Sequence, residues 1–279
     1  MKTWSEYYTL CKSKYEGNKS ATVYDLGLEV LGDEINFDEN FYSTVSRLSK
    51  DVKESILENH ETQANAKSVK STKNFISDIR YLCDFYYRNY LEDCVFGSYA
   101  YCDNIKIYET PVGLKDEKSS WLWHLDNNPR EQIKILMYLT DVEEGSGPFT
   151  YLSDPTGRAV KASTRRVDHK NWCISKGLHA SKFCSWHSSR VSPHAMDTMI
   201  KNGCNEVPVY GKIGTSILFD NNIIHKGSLP KIKPRVAITM QFRPVEEKRD
   251  SLVDAKYTGD GWKHTTFNMD PDIITNVRK

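Results

Sequence analysis

Between residues 39 and 92 apolar side chains return every three or four positions. Phe41, Val45, Leu48, Val52 and Ile56 form one series; beyond the polar stretch ETQANAKSVKSTK, Ile76, Ile79, Leu82, Phe85, Tyr86 and Tyr90 form another. A period of about 3.6 residues gathers such positions on one face, which predicts two amphipathic helices that pack and carry no chemistry. From about residue 96 the pattern changes. SYAYCDNIKIYET, QIKILMYLTDV, GTSILFD and RVAITMQFRP are short, rich in β-branched and aromatic residues, and bounded by Gly, Pro, Asn and Asp. These are strand signals. Strands without long helices between them predict an antiparallel barrel or sandwich and argue against a doubly wound sheet. The expectation is a mainly β protein with flanking helices in one domain of 279 residues. In it, residues 1–95 give helical support, 96–245 the β core with an insertion at 154–206, and 246–279 a C-terminal tail.

Within SSWLWHLDNNPREQIKILMYLTDV stand His124 and Asp126. In a strand, positions i and i+2 share a face, so the imidazole and the carboxylate aim together and Leu125 turns away. Such a pair is either a hydrogen-bonded couple or two ligands of one metal, and by itself it leaves both open. His225 follows the strand TSILFD and an NN turn, and Arg235 comes ten residues later. From there the chain alternates: Val236, Ile238, Met240 and Phe242 on one face, Arg235, Ala237, Thr239, Gln241 and Arg243 on the other. An arginine heading the polar face of a core strand needs an anionic partner, because an unpaired buried charge is costly. Arg243, at the far end, suits an exposed rim. Two histidines and one carboxylate match the facial triad of non-haem Fe(II) oxygenases, which leaves coordination positions open. A co-substrate bearing a second carboxylate would suit the planar fork of Arg235.

Composition narrows the classes. With 38 basic and 37 acidic residues the net charge is +1, so no global field draws in nucleic acid or a membrane surface. The opening MKTWSEYYTLCKSKYEG has no apolar core of signal-peptide type, and there is no run of 18 apolar residues, which predicts a soluble protein. Seven scattered cysteines fit reduced thiols in a cytoplasm better than a disulfide framework. Cys173, His179, Cys184 and His187 raise the question of a structural zinc, but five residues separate Cys173 from His179, unlike a tight knuckle. The aromatic and imidazole side chains of the insertion (Trp172, Phe183, Trp186, His187) suit a lid over residues 160–200 that selects substrate. Its basic run (Arg158, Lys161, Arg165, Arg166, Lys170) is either a solvated face or a steering patch for an anionic or carboxylated small-molecule substrate.

Three stretches resemble the Fe(II)/2-oxoglutarate-dependent dioxygenases, and within them the phytanoyl-CoA dioxygenase-like branch. WHLDNNP looks like the first two metal ligands, YLTDVEEGSGPFTYLSDP like the segment between ligands, and ILFDNNIIHKGSLPKIKPRVAITMQFRP like the last ligand, its loop and the 2-oxoglutarate arginine. The resemblance spans roughly residues 96–245. It implies a double-stranded β-helix, or jelly roll, with N-terminal helices. It implies Fe(II) held by His124, Asp126 and His225, 2-oxoglutarate held by Arg235, O2 as oxidant, and hydroxylation of an aliphatic C–H with succinate and CO2 released. There are departures. SDPTGRAV replaces a Pro-Gly-Ser-His-like turn, and Ala237 stands where related enzymes carry Ser or Thr, leaving Thr239 and Gln241 as the further 2-oxoglutarate contacts. Relatives that halogenate have Gly or Ala in place of the carboxylate, so Asp126 favours hydroxylation, with desaturation or cyclisation as variants. Two rivals share the triad: a zinc hydrolase or lyase with water in the open position, and a jelly-roll module that binds without catalysis.

Overall fold

The computed structural model describes residues 4–32, 35–58, 60–63, 66–69, 73–114, 119–126, 130–161 and 190–248. Among them, four α-helices are Trp4–Lys14 (α1), Glu39–Glu58 (α2), Ile76–Tyr86 (α3) and Pro193–Lys201 (α4). The strands are Leu28–Leu31 (β1), His60–Gln63 (β2), Ala66–Val69 (β3), Tyr99–Thr110 (β4) and Ile133–Tyr138 (β5). They continue as Phe149–Ser153 (β6), Asn205–Val209 (β7), Ser216–Asp220 (β8), His225–Gly227 (β9) and Arg235–Val245 (β10). α3 runs on into a π-helical segment, Tyr87–Phe96, which stops at the left-handed Gly97.

Two antiparallel sheets result. The larger has the order β1-β8-β5-β10-β4-β3-β2 and the smaller the order β7-β6-β9. The histidine–aspartate segment adds to the smaller sheet through bridges from His124 to His225 and to Arg190. This is the jelly-roll arrangement expected from the sequence, with the alternation of β10 separating two compartments. Val236, Ile238, Met240 and Phe242 join Ile133, Ile135, Ile105 and Ile107 in the main core, with α2 and α3 supplying Phe41, Val45, Leu48, Ile79 and Leu82. The opposite face looks at the smaller sheet, where Leu136, Tyr138, Phe149, Ile217, Phe219 and Ala237 pack between the layers. The reverse side of the smaller sheet is covered by α4, whose Ala195, Met196 and Met199 meet Leu152 and Ile224.

Three parts differ from the sequence expectation. The polar stretch between α2 and α3 holds β2 and β3, which extend the large sheet through β4, and β1 pairs with β8 at the other edge. Edge strands are held by backbone hydrogen bonds with few buried side chains, so their apolar alternation is weak; in β1 only Leu31 is buried. The interruption at 154–206 likewise contains α4 and β7, the latter paired with β6. Arg243 is not at an exposed rim: it is 3% exposed, with its guanidinium 5.5 Å from the Tyr101 ring centroid. No helix among the described residues is long and apolar enough to cross a membrane, and the five cysteines described are all free thiols.

Candidate metal centre

His124 and His225 form a hydrogen-bonded backbone pair, each amide donating to the other's carbonyl at 2.9 Å, so their rings sit side by side with centroids 4.3 Å apart. The Asp126 amide donates to the Asn221 carbonyl at 2.8 Å, which ties the first ligand segment to the turn after β8. That turn is itself buried and braced, with Asn221 Nδ2 donating to the Gln132 carbonyl at 2.9 Å. Each imidazole has its Nδ1 against a carbonyl, Leu122 at 2.8 Å for His124 and Ile223 at 2.9 Å for His225. A carbonyl only accepts, so Nδ1 carries the proton and Nε2 presents a lone pair. Both lone pairs aim at Asp126: His124 Nε2 lies 3.7 Å from Oδ1 and His225 Nε2 3.6 Å from Oδ2. One ligand atom from each of the three residues lies within 4.8 Å of the others, which fits a single ion between them. The donor set of two neutral imidazoles and a carboxylate suits a divalent transition metal.

Lys134 Nζ contacts Asp126 Oδ2 at 2.6 Å. It holds one carboxylate oxygen and leaves the other for a metal. Burial alone would raise the Asp126 carboxyl, but the Lys134 ammonium and the two imidazoles together hold it well below the usual carboxylate range. Burial, with His225 beside it, pushes the His124 imidazole down to about 3, and burial lowers His225 too. All three ligands are therefore already deprotonated at neutral pH. His124, held at about 3, is expected to release no proton when metal binds near about pH 6, where an ordinary histidine, titrating near 6.5, would release one. Calorimetry in buffers of differing ionisation heat measures the protons released; more than about one per metal at about pH 6 contradicts this assignment. The metal-free protein pays for these neutral rings in acid. An unfolded chain takes up protons below about pH 6.5 that the folded site refuses, so stability falls as pH drops, by up to about 1.4 kcal/mol per pH unit for each imidazole.

A cavity of about 230 Å³ opens around the triad, and Arg235 lines its other end. Arg235 is 2% exposed. One terminal nitrogen donates to the Gly147 carbonyl, the other reaches Thr110 Oγ1 at 3.4 Å, and Nε has no partner. No carboxylate pairs with it among the described residues. Two glycines make room. At Gly147 (φ +70°) a Cβ would lie 2.5 Å from the Ser228 carbonyl oxygen, and at Gly227 a Cβ would lie 3.1 Å from the Arg235 guanidinium. A buried, incompletely satisfied guanidinium facing a cavity is a site for an anion.

No family model matches the sequence, and no curated relative does. Solved structures match by shape. The epimerase SnoN, in complex with Fe3+, alpha ketoglutarate and nogalamycin RO, superposes with a TM-score of 0.53 at 11% identity, covering 85% of this chain and 83% of that one. EctD from S. alaskensis with bound Fe gives a TM-score of 0.52 at 17% identity, covering 81% and 75%. The chain shares the fold of these two structures.

Within this fold the residues singled out from sequence divide clearly. His124, Asp126, His225, Arg235 and Thr239 all line one cavity. Gln241 does not: its amide donates to Gln132 Oε1 at 2.8 Å, beside a register shift between Gln241 and Phe242. Thr239 is four residues from Arg235 along β10, on the same face of the strand. The partner in the Arg235 row is Thr110, directly opposite in β4, with Tyr108 next along the same face. Arg158 is exposed on a turn, and Lys161 lies 3.3 Å from Asp220, so neither lines the cavity. Trp172, Trp186, His187, Arg166, Cys173, His179 and Cys184 lie outside the described residues. Sequence reasoning missed Lys134, Lys106, Tyr108, Thr110 and Trp121, all of which line the cavity. A signal existed for the lysines: each is a lone cation between two isoleucines, in NIKIYET and QIKILMY.

Proposed function

We propose that this chain is a non-haem Fe(II)/2-oxoglutarate-dependent oxygenase that hydroxylates an aliphatic C–H of a small molecule and releases succinate and CO2. The three stretches noted in the sequence resemble the phytanoyl-CoA dioxygenase-like branch, which supports this reading. One observation carries the reading: the His124–Asp126–His225 triad and the buried Arg235 face a single cavity. A zinc hydrolase would account for the triad but would leave the Arg235 charge without purpose.

The residues present fit the groups. Nε2 of each histidine and one oxygen of Asp126 would hold the iron, with Lys134 keeping the second oxygen occupied. Arg235 and Thr110 would bind the distal carboxylate of 2-oxoglutarate, and Tyr108 extends their row. Leu136, Phe149, Phe219 and Trp121 give the space between an apolar lining that limits water. When bound, iron and 2-oxoglutarate supply oxidative decarboxylation coupled to reduction of O2; the protein supplies orientation and shielding.

The test is succinate formation from 2-oxoglutarate, with Fe(II) and O2, over a panel of amino acids, sugars, lipids and natural-product acids. At least one compound should accelerate it and emerge heavier by one oxygen. Since SnoN is an epimerase, a product of unchanged mass but inverted configuration would keep the cofactor assignment and remove the hydroxylase one. Turnover with Zn(II) and no use of 2-oxoglutarate would remove both.

A further inference from the structure

We infer that Lys134 is a positioning residue that poises the triad for a divalent ion: its ammonium offsets part of the Asp126 charge and so disfavours the ferric ion relative to the ferrous one. The inference rests on the oxygenase reading and adds to it a residue that biases the metal's oxidation state without binding the metal.

The fold fixes where the ammonium goes. Lys134 belongs to β5, a strand paired on both sides, and stands opposite Phe219 in β8 and Gln241 in β10. Its neighbours Ile133 and Ile135 are fully buried in the main core, so the strand's alternation sends Lys134 to the opposite face, where it lines the cavity. Asp126 stands outside the strands, with its amide on the Asn221 carbonyl. Lys134 Nζ meets Asp126 Oδ2 at 2.6 Å, and the two side chains are only 21% and 18% exposed. A contact on the surface would be screened by water and would do little. This one lines a cavity that Leu136, Phe149 and Phe219 also line, where a charge acts through a less polar medium.

The chemistry of the donor set gives this contact a consequence. Of the three ligands, His124, Asp126 and His225, the carboxylate alone is an anion, since the imidazoles bind as neutral rings. Its attraction for a metal grows with the metal's charge, so a ferric ion gains more from a full carboxylate than a ferrous ion does. With Lys134 on Oδ2, the carboxylate offers Oδ1 and part of its negative charge is already offset. The ammonium also repels the ion itself, and it repels three positive charges more than two. Both effects lower the affinity for Fe(III) more than that for Fe(II). The proposed reaction starts from Fe(II), so the lysine favours the state in which the site is competent.

The experiment is a mediated redox titration of the iron-loaded protein, free of 2-oxoglutarate, for wild type, Lys134→Met, Lys134→Gln and Lys212→Met. Methionine removes both the charge and the hydrogen bond, whereas glutamine removes the charge and keeps a donor for Oδ2. Lys212, whose side chain is 76% exposed, is the control for a charge lost at the surface. Both Lys134 variants should favour Fe(III) over Fe(II) about tenfold or more relative to wild type, a fall of about 59 mV or more in midpoint potential. Lys212→Met should leave the potential unchanged. Fe(II) affinity, read by anaerobic competition with a chelator, should not fall in the Lys134 variants, because no metal ligand is lost. Equal potentials in wild type and Lys134→Met overturn the inference and leave the lysine an ordinary ion pair. A fall confined to Lys134→Met also overturns it, by assigning the effect to the hydrogen bond instead of the charge. So does a loss of Fe(II) affinity in both variants, which would make the lysine a support for the ligand's fold. If wild type takes up no iron, the oxygenase reading fails and the Lys134 assignment with it. Failure of the assignment alone appears as iron-loaded wild type whose potential the variants do not move.

Discussion

His225→Ala is expected to abolish 2-oxoglutarate turnover and to remove the metal site. The ring supplies one of three protein ligands, and its replacement leaves two, too few to hold the ion against solvent. The effect is separable from misfolding. His225 packs against Phe149 and Phe219 with centroids 5.3 Å and 5.2 Å away, so alanine also opens a void. His225→Gln keeps most of that volume, and it should fold with a melting temperature near that of the metal-free wild type and still bind no iron. Asp126→Ala should also end hydroxylation, and it leaves Lys134 facing an ion without a counter-charge. Iron content after gel filtration and succinate release read the two effects independently. Wild-type turnover by any of these variants with iron supplied means that the triad is misassigned.

Arg235→Met comes next in size. It should raise the concentration of 2-oxoglutarate needed for half-saturation by roughly ten- to a hundredfold, because a hydrogen bond to a charged group contributes about 1.5–3 kcal/mol. Metal affinity should not change, since Arg235 touches none of the three ligands. Arg243→Met is the matched control: the same substitution, in the same strand, at an equally buried position. Its guanidinium lies over Tyr101, outside the cavity, so it should lower stability and leave 2-oxoglutarate affinity alone. Equal losses of affinity from both would show that the wrong arginine has been chosen.

The ligands and Arg235 were legible because each is marked along the chain. His124 and Asp126 are two residues apart at the edge of an apolar stretch, and Arg235 opens a strand whose alternation is strict. Residues that work across strands were not legible, because register is a property of pairing. Thr110 reaches Arg235 because β4 and β10 align them, and nothing within the strand text NIKIYET discloses that alignment. Gln241 was assigned to the cavity by the same alternation that placed Arg235 correctly, yet it pairs with Gln132 where the register shifts. The short outer strands β1 to β3 escaped notice for a different reason. Leu28–Leu31 buries a single side chain, so the hydrophobic period that marks a core strand is missing. Lys106 and Lys134 were visible in the text as lone lysines, each between two isoleucines of a strand.

The central claim is that metal and 2-oxoglutarate share one cavity between the triad and Arg235. The most direct measurement is an anaerobic calorimetric titration of 2-oxoglutarate into the wild-type protein with and without Fe(II). The account predicts one molecule bound per chain with iron present, and at least tenfold weaker binding without iron or in His225→Gln. Binding of equal strength with and without iron, or none in either case, would contradict it.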